Sequence, residues 1–116
     1  MNDRNFQRLL HVHEAISSIR KFCEDKTLEN FREDDLLFSA VLQKFLIIGE
    51  SLTKIDQDLL EKYTYPWHKP RAFRNFIAHE YFHIRPERIW DTIYNDLIGL
   101  EIMVLEILKD EYNYKE

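Results

Sequence analysis

The sequence has few of the residues that interrupt regular structure or cross-link a chain. Two glycines and three prolines in 116 residues leave little material for turns, which disfavours a fold of many short strands. Cys23 is the only cysteine, so no internal disulfide can form, and its place in a helical apolar pattern favours a buried side chain. No stretch approaches the roughly 18 uncharged apolar residues of a membrane span. We therefore expect a cytoplasmic protein without membrane contact.

The residues that are abundant suit helices. Charged residues make up 32% of the chain and apolar residues 45%, with much leucine, isoleucine, glutamate and lysine. This length is sufficient for one hydrophobic core but not for two. We therefore expect a single all-α domain over residues 1–116.

Apolar residues spaced three and four apart predict an up-and-down bundle of four main helices with short helical turns. The first helix is expected from residue 4 to about 23, and Thr27 is expected to cap a short turn. Asp34 or Asp35 opens the second helix, whose apolar face is the widest. Gly49 in its middle costs about 1 kcal/mol relative to alanine, a cost that is offset if another helix crosses closely there.

The two remaining helices flank the most unusual stretch of the chain. We expect the third to have Pro66 or Pro70 in its first turn and to run through Arg74 toward His79 or Tyr81. Pro86 then opens the last helix, whose apolar residues keep a spacing of three and four as far as residue 107. Such a seam suits packing within the chain or against a second copy.

Charge is distributed unevenly along the chain. The net charge of -5 argues against a nucleic-acid partner, yet residues 62–88 contain six lysines or arginines and two acids. Within this basic segment, possible RNA contacts are Lys69, Arg71, His83 and Arg85.

The stretch RNFIAHEYFHI, residues 74–84, fits two incompatible kinds of site. His79, Glu80 and His83 have the spacing of a zinc-dependent hydrolase, with two ligands one helical turn apart. That site needs a helix that continues across both histidines, and a third ligand. Pro86 leaves little room for such a helix, so we expect no metal and no other cofactor.

The same stretch also supplies groups that could cut RNA without a metal. That reaction needs a base for the 2′-hydroxyl, an acid for the leaving 5′-oxygen and a cation for the phosphate. His79 is a candidate acid or base, since histidine exchanges protons near neutral pH, and Arg74 can bind a phosphate through two donors. Because one histidine cannot easily serve as both acid and base, the motif is chemically more sensible in a homodimer. Alternatively, Arg74 pairs with an acid and His79 is an ordinary core histidine. Glu50, beside Gly49, is either a functional residue or a capped or paired surface acid.

Several blocks of sequence carry a resemblance to a known family. They are the first-helix pattern at residues 13–19, AVLQKFLIIGESL at 40–52, the Pro66–Trp67 pair, RNFIAHEYF at 74–82 and RIWDTIYNDL at 88–97. These blocks occur in the order and separation of the HepT-like toxins of the HEPN superfamily, and almost the whole chain resembles that family. The resemblance implies a metal-independent endoribonuclease that cleaves RNA at a composite site between two subunits.

The resemblance also implies roles for individual residues. The family's catalytic pair falls on Arg74 and His79, and supporting residues on Asn75 and Tyr81. It implies a type VII-like toxin–antitoxin pair, in which an MntA-like nucleotidyltransferase neutralises the toxin by transferring AMP to Tyr81. An AMP group there would add a phosphate and a bulky base two residues from His79, which would exclude RNA by charge and volume. The alternative is a non-catalytic HEPN binding module that assists a nucleotidyltransferase.

Overall fold

Helices account for most of the part of the chain that the structure describes. The computed structural model describes residues 3–116, which form seven α-helices and one short 3₁₀ helix and contain no strand. The α-helices are α1 (Asp3–Cys23), α2 (Leu28–Glu33), α3 (Asp35–Thr53), α4 (Gln57–Leu60), α5 (His68–Glu80), α6 (Pro86–Asn95) and α7 (Leu97–Tyr112). The 3₁₀ helix, Tyr81–His83, follows α5 directly. The expected all-α, HEPN-like bundle of main helices and short turns is confirmed.

Helix α3 lies at the centre of the bundle and packs against both α1 and α5, while α7 covers another side of α1. Buried apolar side chains from these helices form one core, including Ile16, Leu42, Ile77 and Val104. Among residues 3–116, α3 is the one helix with the length and composition to cross a membrane. Its apolar residues instead form much of this core.

The helix starts follow from local capping. Thr27 accepts a hydrogen bond from the backbone N–H of Asn30, and the Asn30 side chain accepts one in return from Thr27, which completes a capping box. The Asp34 side chain accepts from Leu37 N–H and starts α3. The predicted Thr27 turn and the predicted start of α3 are therefore confirmed.

Of the two prolines considered for the first turn of α5, Pro70 lies there as expected and Pro66 does not. The helix begins at His68, so Pro66 lies before it and Pro70 is its third residue. A proline is tolerated there because the first four N–H groups of a helix have no acceptor within the helix. The Trp67 indole donates to the carbonyl oxygens of Leu60 and Tyr63, which fixes the loop before the helix. The predicted course of α5 through Arg74 to the region of His79 is confirmed.

The predicted last helix is divided into two. Pro86 occupies the first turn of α6 as expected, but the helix ends at Asn95 and α7 begins at Leu97. Asn95 and Asp96 are poor helix formers in tandem, because their side chains compete for backbone hydrogen bonds. Apolar spacing continues across the break, so the sequence pattern alone did not reveal it.

Candidate active site

The site is built where α5 crosses α3. A Cβ atom at Gly49 would lie 2.3 Å from Cβ of Arg74, 2.8 Å from its Cγ and 3.2 Å from the carbonyl oxygen of Pro70. No side chain fits in that space, so the predicted close crossing at Gly49 is confirmed. The stem of Arg74 thus rests on the backbone of the central helix, which fixes where its guanidinium group begins.

The head of Arg74 is held by two neighbours. Its Nη2 forms an ion pair with Oε1 of Glu50, and its Nη1 donates to Oδ1 of Asn75 at 3.1 Å. Its Nε is buried and donates to no acceptor within residues 3–116. The Arg74 side chain is 34% exposed, so the guanidinium is anchored on one side and open to solvent on the other. Arg74 therefore pairs with an acid, which confirms that part of the alternative interpretation of the sequence.

His79 is placed differently from Arg74. It lies in the last turn of α5, is exposed, and its side chain makes no hydrogen bond or ion pair with the described part of the chain. The alternative interpretation of His79 as a core histidine is therefore wrong. Because α5 continues to Glu80, Arg74 and His79 leave the helix in directions about 140° apart. A single chain thus presents the two residues on different sides of α5.

Tyr81 begins the 3₁₀ turn that follows α5. Its side chain is 44% exposed and contacts the ring of Phe82, which is 91% exposed, with 5.4 Å between ring centroids. The Tyr81 hydroxyl has no hydrogen-bond partner among residues 3–116. By contrast, the Tyr63 hydroxyl donates to Glu111 at 2.8 Å, and burial together with this carboxylate raises the pKa of Tyr63. Of these two tyrosines, Tyr81 has the accessible hydroxyl.

The other residues singled out by the sequence lie at the two ends of α5: Lys69 and Arg71 at its start, and His83 and Arg85 in and after the 3₁₀ turn. Lys69, Arg71, His83 and Arg85 are all exposed and form no ion pair within the described residues. His83 lies in the 3₁₀ turn, so His79 and His83 are not on one continuous α-helix. No group of three or more potential metal ligands is found in residues 3–116.

One set of side chains near the motif was not identified from the sequence. The guanidinium of Arg88, on α6, lies 4.9 Å from the ring centroid of Phe73 and 5.5 Å from that of Phe76. The sequence offered two signals for this cluster. Phe73 and Phe76 are three residues apart, and Arg88 lies in the basic segment. Their meeting depends on how α6 folds back after Pro86, which local spacing does not determine.

Comparison with known proteins places this chain among ribonucleases. A sequence profile described as "Ribonuclease HepT-like" matches residues 12–107. A Caldanaerobacter subterraneus protein named "Putative RNase" is 34% identical over 104 residues, 89% of this chain and 93% of that protein. A Thermococcus cleftensis protein named "Probable ribonuclease HepT" is 29% identical over 91 residues, 78% of this chain and 83% of its own length.

A further relative is much longer than this chain. The Methanocaldococcus jannaschii protein named "Gamma-glutamylcyclotransferase and putative RNase" is 28% identical over 103 residues, which are 88% of this chain but only 46% of that protein. The chain therefore spans less than half of this relative. No solved structure matches the chain significantly. The profile covers most of the sequence and includes the whole of the Arg74 to Tyr81 motif, so this chain belongs to the HepT-like ribonuclease family.

Proposed function

We propose that this protein is a metal-independent endoribonuclease that works as a homodimer and serves as the toxin of a toxin–antitoxin pair. The observation that carries the proposal is how the structure holds the two catalytic candidates, His79 and Arg74. His79 is exposed and without a partner among residues 3–116, while Arg74 is fixed by Gly49, Glu50 and Asn75. An exposed acid–base group and a fixed cation are suited to phosphodiester chemistry when two copies of the chain bring them into one cleft.

The reaction uses the RNA's own hydroxyl as nucleophile. His79 removes the proton from the 2′-hydroxyl, and the 2′-oxygen attacks the adjacent phosphorus. The bond to the 5′-oxygen breaks, and that oxygen takes a proton from a second, protonated histidine. The products are a 2′,3′-cyclic phosphate and a free 5′-hydroxyl. Arg74 stabilises the charge that develops on the non-bridging phosphate oxygens.

A second copy of the chain supplies the second histidine. Since Arg74 and His79 point about 140° apart on α5, one chain alone does not gather an acid, a base and a cation on one side. Packing two copies around a two-fold axis near α5 would bring two histidines and two arginines to one cleft. Apolar side chains exposed on α6 and α7 support such packing, namely Tyr94, Ile98 and Ile102.

Neutralisation is proposed to act on Tyr81. Its accessible hydroxyl can attack the α-phosphorus of ATP, releasing pyrophosphate and forming a tyrosyl-AMP ester when a partner nucleotidyltransferase binds and orients the nucleotide. The added phosphodiester and adenine would lie two residues from His79 and repel the RNA backbone. The partner is an MntA-like enzyme in this proposal.

The test is cleavage of single-stranded RNA by the purified protein in excess EDTA. Activity should persist and leave 2′,3′-cyclic phosphate ends. His79→Ala should lower the rate by a factor of at least about a hundred, the usual size of an acid–base contribution. His83→Ala is the matched control and should have a mild effect, since His83 lies off the helix that carries His79. Activity that disappears with EDTA and returns with zinc would contradict the proposal.

A further inference from the structure

A groove opens between α5, the loop before it and the start of α7. Its volume is about 750 Å³, which is within the usual size of a small-ligand site. Phe45 and Leu100 contribute to its apolar lining, and Phe73 and Phe76 line it from α5. The motif residues Arg74, His79 and Tyr81 do not line it. The groove is therefore separate from the catalytic pair.

The α5 side of the groove presents flat aromatic surface next to a cation. The rings of Phe73 and Phe76 are nearly parallel, with 6.1 Å between centroids and 23° between planes. Phe45 meets Phe73 edge-on at 5.0 Å and supports it from α3. The guanidinium of Arg88 lies beside both α5 rings and is held by a 2.7 Å hydrogen bond to the Thr92 hydroxyl. Aromatic faces combined with arginine are the common means of stacking an unpaired nucleobase.

The charges of the groove favour an anionic ligand. His68, Lys69 and Arg88 line it, and Asp96 is the one acidic residue among its lining side chains. Neither His68 nor Lys69 forms an ion pair within residues 3–116, so both can serve a bound phosphate. This local excess of cations occurs in a chain whose net charge is -5. An uncharged apolar ligand would gain no electrostatic stabilisation from these cations.

The groove also leads toward His79. Ala72 and Phe76 line it, and His79 follows them by seven and three residues, so all three lie along one side of α5. Phe76 is about 4.5 Å from His79 along the helix axis. A nucleotide neighbouring the one at His79 can therefore reach the aromatic wall.

We infer that this groove binds a nucleobase of single-stranded RNA next to the phosphate that is cleaved. The base stacks on Phe76 beside Arg88, and Lys69 contacts the flanking phosphate. The inference rests on the proposed ribonuclease function and adds the substrate class, because only an unpaired base can leave its neighbours and enter the groove. Duplex RNA is excluded from this site.

Binding of fluorescently labelled RNA to the full-length His79→Ala protein, which cannot cut the probe, tests the inference. Phe76→Leu keeps apolar volume but removes the aromatic face, and should weaken binding of a short single-stranded RNA about ten-fold. The same substitution should leave unchanged the affinity for an oligonucleotide that is abasic at the stacked position. Duplex RNA of the same sequence should bind more weakly than the single strand.

Lys69→Gln tests the proposed contact between Lys69 and the flanking phosphate. Log affinity falls as log salt concentration rises, and this variant should make that fall shallower, reducing the magnitude of the slope by about 0.7. Lys62→Gln is the matched control, because Lys62 belongs to the same basic segment but pairs with Glu111 at 3.5 Å and does not line the groove. It should leave the slope unchanged. Equal effects of the two lysine variants would overturn the assignment of Lys69.

Three further outcomes decide between the groove inference and the nuclease proposal. If Phe76→Leu binds RNA as tightly as the parent while wild-type protein still cleaves RNA through His79, the groove inference is wrong and the proposed function stands. If Phe76→Leu leaves RNA affinity unchanged but alters the sedimentation of the protein, the groove is a contact between two copies and not a base site. If wild-type protein neither binds nor cleaves RNA, both proposals fail.

Discussion

Single side chains of the motif differ in how firmly they are held. Arg74 is fixed at its stem by Gly49 and at its head by Glu50 and Asn75. His79 and Tyr81 are exposed and have no such anchors among residues 3–116. A cation that must meet a developing charge gains from being placed beforehand. A general acid or base must also be positioned, and for His79 this requires the substrate or the second copy of the proposed dimer.

Tyr81 gives the sharpest prediction for a single residue. Tyr81→Phe keeps the ring and its contact with Phe82 but removes the acceptor oxygen. Incubation with the cognate nucleotidyltransferase and ATP should add the mass of AMP to wild-type protein and none to Tyr81→Phe, as measured by intact-mass spectrometry. Tyr94→Phe is the matched control, because Tyr94 is also an exposed tyrosine at 54%, and it should be modified like wild type. Undiminished labelling of Tyr81→Phe would move the acceptor elsewhere and leave the nuclease proposal intact.

At the scale of helices, the crossing of α3 and α5 determines the position of Arg74. Gly49→Ala gains about 1 kcal/mol of helix propensity but must push the two helices apart, which typically costs about 1–3 kcal/mol. We expect a net loss in the free energy of unfolding, measured by urea titration, together with slower RNA cleavage. Gly99→Ala is the matched control, since a Cβ at Gly99 meets nothing within 4 Å. It should stabilise the protein, and equal destabilisation by both alanines would contradict the packing argument.

A second element-scale prediction concerns the contact between α2 and α6. Arg32 Nε lies 3.2 Å from Oε2 of Glu87, and this hydrogen bond lowers the pKa of Glu87 below its ordinary value. A carboxylate with a lowered pKa in the folded state adds stability above the unfolded pKa, near 4.3, and loses it as the pH falls through the folded value. Glu87→Gln should therefore make the acid decline in unfolding free energy shallower. An unchanged decline in urea titrations at pH 7 and pH 4 would show that the pair contributes nothing, as exposed pairs often do.

Helices and the close crossing could be predicted because they follow from local spacing. The apolar stripe of α3 and the unfavourable glycine within it were sufficient to place a neighbouring helix at Gly49. The break at Asp96 was not predictable, because apolar residues keep a helical spacing on both sides of it. The pairing of Glu50 with Arg74 and the meeting of Arg88 with Phe76 were also out of reach, since each joins two helices distant in sequence. The exposure of His79 depends on where the following turn leads the chain.

At the scale of the whole molecule, the proposal requires two copies. Tyr94, Ile98 and Ile102 are exposed, and Ile102 is 62% accessible in a position where a soluble helix normally carries a polar residue. Light scattering at micromolar concentration should therefore give the mass of a dimer. Ile102→Glu should give a monomer with unchanged helical circular dichroism and little RNA cleavage, because each copy would supply only one of the two histidines that the proposed reaction needs. Full cleavage by a monomeric variant would rule out the composite site.

The packing of Arg74 against Gly49 also affects the order in which the site and the fold are lost on heating. In many enzymes the reactive groups lie on loops that loosen first, so activity is lost well below the melting temperature. Here the cation rests on the backbone of the central helix, and it cannot leave its place unless α3 and α5 separate, which is unfolding itself. The position of Arg74 and the helical bundle should therefore be lost together, in one cooperative transition. Tyr81, which lies outside that crossing, could be modified at any temperature below it without disturbing the bundle.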